Sequence, residues 1–185
     1  PEYADIIPVG ACVTLLIEHS GQTREQVASK IDKTEQSISE LICGSMKVFD
    51  YRQQKRLWKC RKDAVPLIHG KKGVKHPVAF IEDVSVDNTK LAEYVRGLEL
   101  IGKKYGIDMA FYGHAGDGEL HIRPYLDLRD KDDIEKMRLI ADDTYSLALS
   151  LGGSISGEHA DGLLRAGFII KQYGKEYYDL LRQIK

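Results

Sequence analysis

Gly113-His114-Ala115-Gly116-Asp117-Gly118-Glu119-Leu120-His121 lies between two runs of alternating character, Met109 to Tyr112 and Leu120 to Tyr125. An Asp-Gly pair suits a two-residue type I′ turn, because both residues must take positive φ. Asp117-Gly118 therefore predicts a hairpin with His114 directly opposite His121. Opposed residues on antiparallel strands share a face with Cβ atoms about 4.5–5.5 Å apart, so both imidazoles can reach one ion. This register sets Ala110, Tyr112, His114, His121, Arg123 and Tyr125 on one face, and Met109, Phe111, Leu120 and Ile122 on the other. A three-residue Gly116-Asp117-Gly118 loop would oppose His114 to Leu120 and mix polar with apolar on both faces. The two-residue turn is preferred.

Outward from the hairpin, helical and extended patterns alternate. Gly10 to Glu18 reads as a buried strand. Thr23-x-x-Gln26 forms a capping-box pattern before Val27, Ile31, Ile38, Leu41 and Ile42 at helical spacing, with Gly44 as the stop. Met46 to Phe49 reads as a short strand, and Asp50-x-x-Gln53 caps a second helix that runs until Pro66. The basic loop Gly70-Lys71-Lys72-Gly73 follows, then a strand from Val78 to Val86. Asn88 caps a helix with Leu91, Tyr94, Val95, Leu98 and Ile101 on one face, stopped near Gly106. After the hairpin, Asp132-x-x-Glu135 opens a long helix carrying Ile134, Met137, Ala141, Ala148 and Leu151, stopped by Gly152-Gly153. This order predicts an α+β fold, a mainly antiparallel sheet covered by helices in a duplicated ferredoxin-like arrangement. Residues 1–185 carry no low-complexity linker and are expected to form one domain. From the Pro1 start and the helical pattern at the other end, the chain is expected to be a fragment of a longer protein.

Composition narrows the class. With 43% hydrophobic and 30% charged residues, the 185-residue chain is neither disordered nor fibrous. No apolar run approaches the roughly 20 residues that cross a bilayer. The three cysteines, Cys12, Cys43 and Cys60, lack metal-type spacing and point to reduced thiols, hence to the cytoplasm. Net charge is −1, yet between Arg52 and Lys75 there are nine Lys or Arg and only Asp63 to oppose them. That stretch supports an alternative reading, a basic nonenzymatic domain for nucleic acid or an acidic partner. It lacks the interleaved aromatics of a stacking platform.

Two histidines in register with an acidic third ligand suit zinc, whose catalytic sites commonly take three protein ligands and leave one position open. Glu158 is the best third candidate, since Gly152, Gly153, Gly157 and Gly162 free its loop to approach a sheet. Asp117 is committed to its turn. His159, beside Glu158, is then available as a general base. The same triad would also serve a zinc hydrolase. Gly152 to Gly157 has P-loop spacing, but Glu158-His159 stands where Lys-Ser or Lys-Thr belongs.

Together, the Gly113–His121 stretch and Ser156-Gly157-Glu158-His159-x-Asp161-Gly162 resemble the C-terminal cap domain of FAD-linked oxidases, the family of D-lactate dehydrogenases, glycolate oxidase and D-2-hydroxyglutarate dehydrogenase. Leu57-Trp58-Lys59-Cys60-Arg61-Lys62 and Glu82-Asp83-Val84-Ser85-Val86 extend the resemblance over most of the chain. It implies oxidation of a small D-2-hydroxy acid with hydride passing to FAD, which is bound mainly by a separate, preceding flavin domain. It further implies a divalent metal, most simply zinc, on His114, His121 and Glu158, with His159 as base and Arg61 on the substrate carboxylate. Arg123 stands where some relatives carry asparagine and joins Arg61 as a substrate-binding candidate. Ala160-Asp161-Gly162 and Arg165 resemble large bacterial members fused to an iron-sulfur region. An iron-sulfur domain or subunit is thus an expected partner, with peripheral membrane association through electron transfer.

Overall fold

The computed structural model describes residues 3–7, 10–70 and 73–185, in two compact units, one up to Pro66 and one from Leu67. Lys71 and Lys72 of the basic loop lie outside the described residues.

In the first unit, helix α1 (Arg24–Ile38) begins as the capping pattern predicts: Gln26 N donates to Thr23 Oγ1 at 3.3 Å. The Gln26 side chain reaches back to accept from Gln22 N at 3.0 Å. The helix stops at Ile38, before the expected Gly44. Helix α2 (Tyr51–Lys62) starts on Asp50, whose Oδ1 accepts from Arg52 N and Gln53 N at 3.0 Å each. Pro66 does not end this helix; it sits in the first turn of a separate helix α3 (Ala64–His69), where its missing N–H costs nothing. The strands expected at Gly10–Glu18 and Met46–Phe49 are not formed. Both segments carry no ladder, and Val13 and Leu15 are 77% and 62% exposed. A β-rich run becomes a strand only against a partner, and no described residue pairs with it.

The second unit holds the core. Its sheet is built around β4 (Glu119–Leu126), which pairs antiparallel with β1 (His76–Pro77), β2 (Val84–Ser85) and β3 (Met109–His114). A bridge from Ser85 to Ser154 adds a further edge. In chain order the unit runs β1, β2, α4 (Leu91–Tyr105), β3, β4, α5 (Lys131–Ser150) and the Ser154 bridge; with β1 and β2 counted as one interrupted strand and the bridge as the last, this is the strand, helix, strand, strand, helix, strand order of a ferredoxin-like unit. The α+β class is as expected. The continuous strand expected from Val78 to Val86 is interrupted: between Pro77↔Tyr125 and Val84↔Leu120 the segment spends six residues against four of β4. Asp83, at φ 67°, sits in this bulge.

Residues Tyr94, Leu98 and Ile101 of α4 and Ile140, Ala141, Tyr145 and Ala148 of α5 cover Val84, Leu120, Ile122 and Leu126. Burying one such side chain fully contributes roughly 1.5–3 kcal/mol. Gly106, at φ 64°, ends α4 where expected. Two caps differ from the sequence reading. Asp87, not Asn88, accepts from Thr89 N at 2.8 Å and opens a 3₁₀ turn ahead of α4. Asp130, not Asp132, caps α5. Ile134 is 47% exposed and Asp133 takes the inward place, because its carboxylate accepts from Asp127 N at 3.0 Å and meets Lys136 and Lys75.

The hairpin also differs. His114 faces Glu119, and His121 faces Tyr112, so the turn runs through a 3₁₀ segment, Ala115–Asp117, closed by Gly118 at φ 67°. The register has slipped by two residues from a two-residue turn. A slip of two preserves the faces, whereas a slip of one would invert them, so the histidines remain on the side opposite Phe111, Leu120 and Ile122. Helices α6 (Gly162–Arg165) and α7 (Ile169–Ile184), the latter kinked at Gly174, complete the unit.

Candidate metal centre and active site

The polar face of the hairpin carries His114, Glu119, His121 and Arg123, and the loop of residues 156–159 lies over it. His121 Nε2 is 3.7 Å and His114 Nε2 3.9 Å from Glu158 Oε1. Ligand atoms of His114, Glu119, His121 and Glu158 all lie within 4.8 Å of one another. Two bonds of about 2.1 Å to one ion span at most about 4.2 Å, which covers the 3.7 and 3.9 Å separations of the histidines from Glu158. Two imidazoles and a carboxylate are also the donor set of catalytic zinc, so the residues fit the metal.

The cluster is half sunk in the protein. The side chains of His121 and Glu119 are 7% and 6% exposed, those of His114 and Glu158 52% each. Burial, the largest influence, holds the His121 ring below its ordinary pKa, which favours the neutral, ligating form. Burial likewise raises Glu119, reinforced by Glu158 and Asp83 and opposed by the His114 amide that donates to its Oε2 at 3.2 Å. Glu119 Oε1 stands 3.1 Å from His121 Nδ1. The two atoms are at ion-pair distance without hydrogen-bond alignment, and both are buried with no hydrogen-bond partner among the described residues. His121 Nε2 is thereby left toward Glu158.

His159 stacks on His121, ring centroids 5.1 Å apart, with its Nε2 3.3 Å from Glu158 Oε1. A cavity of about 250 Å³ opens beside it, lined in part by Phe80, Glu82, Leu163 and Leu164. Arg123 pairs with Glu82 and donates to Tyr112 Oη at 2.8 Å. Arg61 lies on α2 in the first unit and is half-buried. Neighbouring charges of that basic helix are matched: Arg56 pairs with Asp5, and Lys59 with Asp63.

Two glycines of the loop, Gly153 and Gly157, permit close approach. A Cβ at Gly157 would meet Asp83 Oδ1 and Glu119 Cγ at 3.1 Å, and one at Gly153 would meet Ser85 O at 2.4 Å. Asp83, absent from the sequence-derived site, is fully buried beneath the loop. Its carboxylate accepts from Glu158 N at 2.7 Å, His159 N at 3.0 Å and Ser156 Oγ at 2.9 Å, and pairs with Arg165 at 2.9 Å. Burial is the largest influence on Asp83 and opposes its charge, but these partners together hold its pKa below the usual value. Glu119 was missed because it sits beside a turn in sequence, and Asp83 because its partners are more than 70 residues away.

Residues 3–185 match the family described as FAD linked oxidases, C-terminal domain. The chain is 29% identical to a D-2-hydroxyglutarate dehydrogenase of Haemophilus influenzae, over 92% of this chain and 17% of that protein. It is 30% identical to glycolate oxidase subunit GlcD of Bacillus subtilis, over 100% of this chain and 38% of that protein. A D-lactate dehydrogenase of Archaeoglobus fulgidus is 37% identical over 61% of this chain and 25% of its own length. The chain thus spans between a sixth and two fifths of these relatives.

Proposed function

The chain belongs to the family of FAD linked oxidases, C-terminal domain, and from that premise we propose that it is the substrate-binding cap of a flavoenzyme that oxidises a small D-2-hydroxy acid to the 2-oxo acid. The observation that carries this reading is the convergence of His114, His121 and Glu158 beside His159.

His114 Nε2, His121 Nε2 and Glu158 Oε1 would hold one divalent ion, most simply zinc, with Glu119 behind the His121 ring at ion-pair distance. When bound, the ion supplies a Lewis acid that lowers the pKa of the 2-hydroxyl. The flavin, assigned to the remainder of the full-length protein, supplies the hydride acceptor. His159 takes the hydroxyl proton at Nε2 as the substrate C–H bond gives up its hydride. The cavity beside His159 receives the substrate's carbon chain. Arg61 and Arg123 are assigned to substrate carboxylates, Arg123 sharing its charge with Glu82. An iron-sulfur domain or subunit that takes electrons onward is part of the proposal, as is peripheral membrane association through it; no helix among the described residues is long and apolar enough to cross a membrane.

The test is anaerobic stopped-flow reduction of the full-length enzyme by a panel of D-2-hydroxy acids. His159→Asn is expected to retain flavin and metal and slow reduction by roughly a hundredfold or more. His114→Asn is expected to lose metal as well as rate. Arg61→Lys, which keeps charge but not the planar fork, is expected to raise KM. Reduction of His159→Asn at the parent rate would remove the base assignment.

A further inference from the structure

We infer that Asp83, locked by Arg165, is a positioning residue that aims both Glu158 and His159 at the reacting centre. The inference rests on the metal-and-base reading above and adds what holds those two side chains in place. Two consecutive backbone amides, those of the ligand and of the base, end on the two oxygens of one buried carboxylate. Asp83 O accepts from Gly157 N at 2.6 Å, so three successive amides of the loop are tied to this single residue. Arg165 closes the arrangement from the far side of the loop. Its guanidinium donates to Glu82 O at 2.7 Å, to Ala160 O and to Asp161 O at 3.3 Å, as well as to Asp83.

The loop backbone therefore cannot shift at Glu158 without disturbing a buried ion pair. Charge-assisted bonds of this kind are about twice as strong as neutral ones, and breaking one partner of a buried pair is strongly unfavourable. Glu158 itself is half exposed, so packing of its side chain does little to fix it. The backbone tether has to do so. Asparagine at position 83 would keep the volume and tolerate φ 67°, but its NH₂ group would face amide and guanidinium donors.

The experiment uses the full-length protein and two readouts, zinc affinity by competition with a chromophoric chelator and the rate of anaerobic flavin reduction at saturating hydroxy acid. Asp83→Asn is expected to weaken zinc binding at least tenfold, the range seen when a residue behind a metal ligand is lost, and to slow reduction at least tenfold. Leu98→Ala, a core substitution on α4, is the control for lost stability alone and is expected to stay within twofold of the parent in both. Arg165→Lys is expected to follow Asp83→Asn and carries the test if that variant does not fold. Zinc affinity and rate within twofold of the parent for Asp83→Asn, or equal losses in Leu98→Ala, would overturn the inference. A parent protein that takes up no zinc would remove the metal reading instead, and the positioning role would then be judged on the reduction rate alone.

Discussion

A methyl group at Gly118 would stand 1.9 Å from Val86 O and 3.0 Å from Val86 C, at a residue whose φ of 67° already disfavours a side chain. Backbone, not a flexible side chain, is what it would strike. Gly118→Ala is therefore expected to cost several kcal/mol, more than the roughly 1 kcal/mol of an ordinary substitution, and to disturb the hairpin that carries His114 and His121. Urea unfolding of the purified protein checks this; a midpoint within about 0.3 M of the parent would show that the turn relaxes. Gly116, whose Cβ would meet nothing within 4 Å, should accept alanine far more readily. At this scale the sequence was informative about residues that announce their chemistry. His114 and His121 could be grouped from residue type and strand parity, and Glu158 and His159 were joined to them through a glycine-rich loop free to approach the sheet. Glu119 and Asp83 could not, since their roles come from burial and from loops that meet only after folding.

Among the elements, α5 shows how a polar residue can hold an inward position. Asp133 is 1% exposed and its pKa is lowered to about 2, first by the Asp127 amide, against the cost of burial, and then by Lys136 and Lys75. A folded pKa below the unfolded value of about 3.9 contributes stability that is fully present above that value and lost as pH falls through about 2. The shift corresponds to at most about 2.5 kcal/mol; because both lysines are partly exposed, about 1–2 kcal/mol is expected. Asp133→Asn should lower Tm at pH 7 and flatten the dependence of Tm on pH between about 4 and 2. An unchanged acid profile would show that other carboxylates carry it. The alternation of apolar residues predicted the α4 face correctly and the α5 face only in part, because Asp133 displaced Ile134 from the inward row for the sake of an amide that periodicity does not register. The hairpin register went astray for a related reason. Asp117-Gly118 favoured the shorter turn, but the 3₁₀ segment lets Glu119 reach the His114 amide, and the parity that determines the face survives either way.

For the whole molecule, the strand and helix order was enough to recover the α+β class and the single sheet of the second unit. It was not enough for the first unit, where Gly10–Glu18 and Met46–Phe49 have strand composition without a pairing partner among the described residues. Composition reports suitability for a sheet; pairing depends on what else is present. The proposed metal ligands and base all belong to the second unit, on β3, β4 and the loop after α5, and their geometry follows from the bulge at Asp83 that lets the loop settle over the hairpin. The most direct test is anomalous X-ray scattering at the zinc edge from crystals of the full-length protein grown with zinc. One peak is expected, about 2.0–2.2 Å from His114 Nε2, His121 Nε2 and a Glu158 carboxylate oxygen, beside the His159 ring. A fully occupied zinc bound elsewhere, or no peak among these three side chains at saturating zinc, would contradict the assignment.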